Sequence, residues 1–169
     1  SQLLKNKMKI ALAQLNPKVG DVKGNISKLI SIRNDLSKDV DIIVLPELYV
    51  TGYPIDDLVL RNDFLELVEN EISDLAKLTN DGKAAIILGS PRKDEDTIRN
   101  SVFVLDQGKI LSFRDKHNLP NTGVFDEQRI FTPGSLSGPV KIRETLVGLP
   151  ICEDIWNETV IDCLSETGA

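Results

Sequence analysis

Three stretches of the sequence read as the ends of buried strands and carry there a residue that can do chemistry. "VLPELYVTGYP" carries Glu47, "SFRDKHNLPN" carries Lys116, and "GLPICEDIW" carries Cys152. A cysteine attacks a carbonyl as its thiolate, so it needs a base to take the proton and a cation to stabilise the anion. Glu153 and Asp154 follow Cys152 directly and disfavour a thiolate, so both groups must come from elsewhere in the chain. A carboxylate in a low-dielectric pocket can be the base, because desolvation raises its proton affinity toward neutrality. An ammonium can be the cation, and it also stabilises the oxyanion formed when the thiolate adds to an amide. Glu47, Lys116 and Cys152 therefore suffice for acyl transfer from an amide if the fold brings them together. Each has a plainer reading as well: Glu47 as a cap or surface acid, Lys116 as a solvated strand end, Cys152 as a small core hydrophobe.

The elements around them read as a layered sheet. "MKIALAQLN" (8–16) reads as a buried strand, and Val22, Ile26, Leu29, Ile30 and Leu36 fall on one helical stripe after the turn "PKVGD". "DIIVLPEL" (41–48) is a short buried strand ended by Pro46, with Glu47 at its exit. Phe64, Leu65, Val68, Ile72, Leu75 and Leu78 mark a second helix, stopped by "NDGK". "AAIILGS" (84–90) is a further buried strand, and "NSVFVLDQGKILSFRDK" reads as a hairpin turning at Gln107–Gly108. A loop rich in Pro, Gly and Asn (117–138) leads to "VKIRETLVGLPIC", two short strands or one bent strand, and "NETVIDCLSE" closes the chain as a helix. The order of strands and helices predicts an α/β fold in one domain. In such sheets, catalytic groups sit at strand ends and in the loops just beyond.

Composition and missing motifs narrow the function. With 41% apolar and 27% charged residues in 169, the chain reads as a soluble globular domain with a sizeable core. Its 26 acids outweigh 20 bases, for a net charge of −6, which argues against a nucleic-acid footprint. No apolar run approaches the roughly 18 residues of a membrane span, and "SQLLKNKMKIALAQ" lacks the pattern of a secretion signal. Met8 as a natural start and Ser1 as the product of processing or cloning are both compatible with it. Cys152 and Cys163 make no disulfide framework, and with His117 alone they cannot supply a zinc quartet. Neither G-x-G-x-x-G after a strand nor a Walker A sequence occurs. "GSLSG" (134–138) has Leu136 where a nucleophile elbow needs serine, and "KDEDT" (93–97) reads as a solvated acidic loop. His117 is the one candidate for a Cys–His pair, but the adjacent Lys116 opposes its protonation. The sequons at Asn25 and Asn157 read as chance occurrences.

The three chemistry-bearing segments, in this order, resemble the nitrilase superfamily, whose hallmark is a Glu-Lys-Cys triad. The resemblance is closer still to the glutaminase domains of glutamine-dependent NAD synthetases. It is carried by "TGYPIDDLVLR" (51–61), "DKHNLPNTGVFDEQRIF" (115–131) and "CEDIW" (152–156), and extends from about Met8 to the last residue. It implies a nitrilase-type α-β-β-α sandwich, with Glu47 as general base and later acid, Lys116 as oxyanion stabiliser and Cys152 as nucleophile. It further implies Glu127 as a second glutamate supporting the triad and Glu153 as an acid facing the amino group of glutamine. The backbone N–H of Glu153 could join Lys116 in the oxyanion hole. Thr122 stands where the family generally has a tyrosine lining the substrate pocket.

The implied activity is hydrolysis of the side-chain amide of glutamine, supplying ammonia for ATP-dependent NAD synthesis. Glutamine and a synthetase domain of the same polypeptide are the expected partners, in a cytoplasmic homo-oligomer without nucleic acid or membrane. No metal or cofactor is expected in this segment; ATP and magnesium belong to the synthetase domain. Relatives continue beyond "LSETGA" into further strands and then that domain, so residues 1–169 are expected to be a truncated carbon-nitrogen hydrolase domain. Two rival expectations stand beside this one: a stand-alone amidohydrolase acting on another small amide, and a catalytically silent fragment.

Overall fold

The computed structural model describes residues 8–117, 119, 121–122, 125–126, 130–134 and 138–149. Its centre is a five-stranded mixed sheet in the order β1-β2-β3-β4-β5. Strands β1 (Ile10–Leu12), β2 (Ile42–Val44) and β3 (Ala85–Asp94) run parallel, while β4 (Thr97–Asp106) and β5 (Lys109–Asp115) continue it antiparallel. Helix α1 (Val22–Asp35) joins β1 to β2 and helix α2 (Asn62–Leu78) joins β2 to β3, as parallel neighbours require.

The sequence explains both helices. Asp21 caps α1 by accepting the Gly24 N–H at 3.1 Å, and Val22, Ile26 and Leu29 are buried along its stripe. In α2, Phe64, Leu65, Val68, Ile72, Leu75 and Ala76 are buried, and the Thr79 hydroxyl closes the last turn on the Ala76 carbonyl at 2.6 Å. Both stripes pack on one face of the sheet, against Ile43, Ile86, Leu88, Phe103 and Leu105. Alternation sends Ile42, Ala85, Ile87, Val102 and Val104 to the opposite face. There they meet Val140 and Ile142 of β8 (Val140–Ile142), with Val147 of β9 (Thr145–Val147) and Leu149 beside them. The described residues thus form helix, sheet and β-hairpin layers of an α/β fold.

Several expectations change in detail. The first strand is three residues long rather than nine, because its partner β2 is equally short and gives way to Pro46. Its Leu12 is 73% exposed, so this edge is not a buried strand. The acidic stretch 93–97 narrows to an exposed two-residue turn, Glu95 and Asp96, between two strands. Strand β3 runs on to Asp94 and turns straight into β4, with Asp94 facing Arg92 at 3.7 Å and Arg99 at 3.6 Å. These guanidiniums compensate Asp94, while Glu95 and Asp96 face solvent as the acidic composition suggests. The β4–β5 hairpin does turn at Gln107–Gly108, both with positive φ (54° and 80°), the geometry that matches strand twist in a two-residue turn. The 117–138 loop contains a two-residue ladder, β6 (Asn121–Thr122) with β7 (Phe125–Asp126). Strands β8 and β9 settle the open choice in 140–147 as two strands. The expected closing helix at 157–166 and the "GSLSG" centre lie outside the described residues.

Candidate active site

Glu47 follows β2 by three residues and opens a tight turn, in which the Tyr49 N–H reaches the Pro46 carbonyl at 3.2 Å. Leu48 adopts a left-handed conformation (φ 53°), which is unfavourable for a leucine and holds only because its surroundings fix it. Those surroundings are specific. The buried Tyr49 hydroxyl donates to the Asn25 carbonyl at 2.8 Å, and the Asn25 side-chain amide donates to the Val50 carbonyl at 3.1 Å, so the turn is tied to α1. Burial pushes the Tyr49 hydroxyl above its ordinary pKa, keeping it a neutral donor. On the other side, β3 passes so close that a Cβ on Gly89 would lie 2.6 Å from the Leu48 nitrogen and 2.7 Å from the Pro46 oxygen. Only glycine permits that approach.

Lys116 is the first residue after β5. Its N–H donates to the Asn100 carbonyl of β4 at 2.7 Å, and its own carbonyl accepts from the Gly134 N–H at 2.8 Å. The preceding Asp115 is held by both guanidinium arms of Arg92 (3.1 and 2.8 Å) and by the Ser101 hydroxyl. With its backbone fixed on two sides, Lys116 extends a fully buried side chain to Glu47, and Nζ donates to Oε1 at 2.6 Å. The Asn100 amide also donates to this oxygen, Nδ2 to Oε1 at 2.8 Å. Glu47 keeps 23% of its side chain exposed. It lines a mainly apolar cavity of about 360 Å³ together with Val44, Pro46, Gly89, Ser101 and Leu149.

The structure therefore brings two of the predicted site residues into direct contact. Lys116 is not the solvated strand end of the plainer reading, and Glu47 is not a surface acid. Cys152, Glu127 and Glu153 lie outside the described residues, as does Cys163. Thr122 is placed by its backbone, on β6 opposite Phe125. The Nδ1–H of His117 donates to the Gly134 carbonyl at 2.8 Å, which gives that ring nitrogen a backbone partner. Among the described residues no group of three His, Cys, Asp or Glu side chains could hold a metal ion. No helix among them is long and apolar enough to cross a membrane.

Sequence reading missed Asn100 and Gly89. A signal existed for each: a glycine inside the apolar run "AAIILGS" marks close backbone approach, and an amide opening the apolar run "SVFVL" needs a buried partner.

An acid and an ammonium are thus joined beside a mainly apolar cavity at the ends of two strands of one sheet. The chain belongs to the carbon-nitrogen hydrolase family, which it matches over residues 9–169. It is 41% identical over 152 residues to the glutamine-dependent NAD(+) synthetase of Thermotoga maritima, covering 89% of this chain and 26% of that protein. It is 36% identical over 165 residues to the synthetase of the same name from Rhodobacter capsulatus, covering 97% of this chain and 30% of that one. The solved structure of the glutamine-dependent NAD+ synthetase from Acinetobacter baumannii superposes with a TM-score of 0.85 at 37% identity, over 94% of this chain and 30% of that one. A carbon-nitrogen hydrolase from Helicobacter pylori shares the fold at 22% identity, with a TM-score of 0.78. The nitrilase-type fold is thus established, and the chain spans less than a third of the length of these synthetases.

Proposed function

We propose that this chain hydrolyses the side-chain amide of glutamine and supplies the ammonia to ATP-dependent NAD synthesis by a synthetase domain of the same polypeptide. The observation that carries this reading is the 2.6 Å contact of the buried Lys116 side chain with Glu47 beside an apolar cavity. The names of the relatives support the choice of glutamine.

In this reading Glu47 takes the Sγ proton of Cys152, and the thiolate adds to the side-chain carbonyl carbon of glutamine. The oxyanion of the tetrahedral intermediate is stabilised by Lys116. Glu47 returns the proton to the amide nitrogen, the C–N bond breaks, and ammonia leaves a thioester on Cys152. Glu47 then draws a proton from water, hydroxide adds to the thioester, and glutamate departs as the proton returns to sulfur. The same carboxylate serves as base and acid in both halves. Glu127 supports the pair, Glu153 faces the substrate amino group, and Thr122 lines the pocket in place of an aromatic residue. ATP and magnesium act in the synthetase domain, and the enzyme works in the cytoplasm.

The test is ammonia release from glutamine by the full-length protein, with Glu47→Gln and Cys152→Ala as controls. The reading expects turnover by the parent and losses of 10³-fold or more in both variants. Absence of turnover with glutamine, alongside turnover of another small amide, would instead establish the stand-alone amidohydrolase.

A further inference from the structure

We propose that Asn100 is a positioning residue that, together with Lys116, clamps Glu47 by one oxygen and assigns proton transfer to the other, Oε2. The proposal rests on the amide-hydrolysis reading for its chemistry and on geometry for its substance. Nδ2 of Asn100 and Nζ of Lys116 converge on the same atom, Oε1, at 2.8 and 2.6 Å. Among the described residues, Oε2 receives no hydrogen bond from either. Two donors, one of them charged, draw electron density onto Oε1 and make it the poorer proton acceptor. Oε2 remains the basic oxygen of a carboxylate that borders the cavity.

Lys116 alone would not achieve this. An ammonium is a point charge on a flexible stem, and a carboxylate can rock about a single such contact. Asn100 is 1% exposed, its side-chain amide is planar, and it is carried on β4 between β3 and β5. Its backbone carbonyl accepts the Lys116 N–H at 2.7 Å while its side chain donates to Glu47. One residue therefore sets the position of the base through its side chain and of the cation through its main chain. A change confined to the side chain separates the two effects, since it leaves the backbone bond to Lys116 in place.

The experiment uses Asn100→Leu, which keeps the γ-branched shape and removes the donor, and Asn100→Asp, which keeps the shape and faces Oε1 with an oxygen. In the full-length protein, both should lower kcat for amide hydrolysis about 10- to 100-fold, the worth of one hydrogen bond to a charged group. KM should stay within about threefold. With the donor gone, and in Asn100→Asp with a second carboxylate in its place, the acidic limb of the kcat profile should move upward, further for Asn100→Asp than for Asn100→Leu. A purely structural role would reduce the folded fraction and leave the profile of the remaining enzyme unmoved, which would overturn the proposal. A high-resolution structure of Asn100→Leu gives a readout that needs no turnover. A Glu47 carboxylate rotated away from its place against Lys116 supports the clamp; one that has not moved overturns it. A parent enzyme inert toward glutamine overturns the functional reading alone, since the carboxylate rotation is still measured.

Discussion

Replacing Gly89 by alanine should disable the site without touching any residue that does chemistry. The added methyl would lie 2.6 Å from the Leu48 nitrogen, 2.7 Å from the Pro46 oxygen and 3.1 Å from the Glu47 carbonyl carbon. All three are backbone atoms of the turn that presents Glu47, so no side-chain rotation relieves the overlap. Ordinary contact needs roughly 3.4 Å or more, and the turn must therefore retreat from β3 by about 0.8 Å. Overpacking of this kind costs about 1–3 kcal/mol of stability. The larger consequence is at the end of the Glu47 side chain, whose 2.6 Å contact with Lys116 cannot survive such a shift unaltered. Misplacement of a catalytic group by about 1 Å can cost on the order of 100-fold in rate. The expected result in Gly89→Ala is a 10- to 100-fold fall in kcat for ammonia release, with a small drop in melting temperature. Full activity at undiminished stability would mean that the turn is not held against β3 as described.

Removal of the buried ammonium in Lys116→Met should cost about 10²- to 10³-fold in kcat, the scale of losing one oxyanion donor, with substrate binding less affected. A variant retaining more than a tenth of parental kcat would exclude Lys116 from the transition state. At the far end of the helix layer, the Arg33 guanidinium holds the Asp81 carboxyl down from 3.8 to about 2. A lowered folded-state value makes this contribution complete above about pH 3.8 and lost as pH falls through about 2. Asp81 is one-third exposed, so solvent screening reduces the contribution to about 1–2 kcal/mol. Asp81→Asn should therefore be less stable than the parent at pH 7 by that amount, with the gap closing toward pH 2 in denaturant titrations. A gap independent of pH would assign the loss to packing.

Much of this arrangement was legible in the sequence because its causes are local. The stripe from Val22 to Leu29 specifies α1, the run from Phe64 to Leu75 specifies α2, and Gln107–Gly108 specifies the hairpin that delivers Lys116. Glu47 and Lys116 could be singled out because each follows a predicted strand, and strand ends of one sheet lie near one another. What stayed hidden depends on register between distant segments. Asn100 meets Glu47 only because β4 lies antiparallel to β3, with Ser90 opposite Ser101, and β5 pairs beyond it. The tie from Tyr49 to the Asn25 carbonyl likewise joins a turn to a helix twenty-four positions away. The acidic stretch at 93–97 was legible only in part for a related reason: the partners of Asp94, Arg92 and Arg99, become neighbours only once the hairpin has formed.

The central claim is that Glu47 and Lys116 serve Cys152 as nucleophile. The most direct measurement is the site and rate of covalent labelling by a glutamine analogue bearing an electrophilic carbonyl, read by peptide mass on the full-length protein. One label per chain is expected, on the peptide carrying Cys152 and not on that carrying Cys163, with labelling slowed at least 100-fold in Glu47→Gln and competed by glutamine. Labelling shared equally with Cys163, or indifferent to Glu47→Gln, would contradict it.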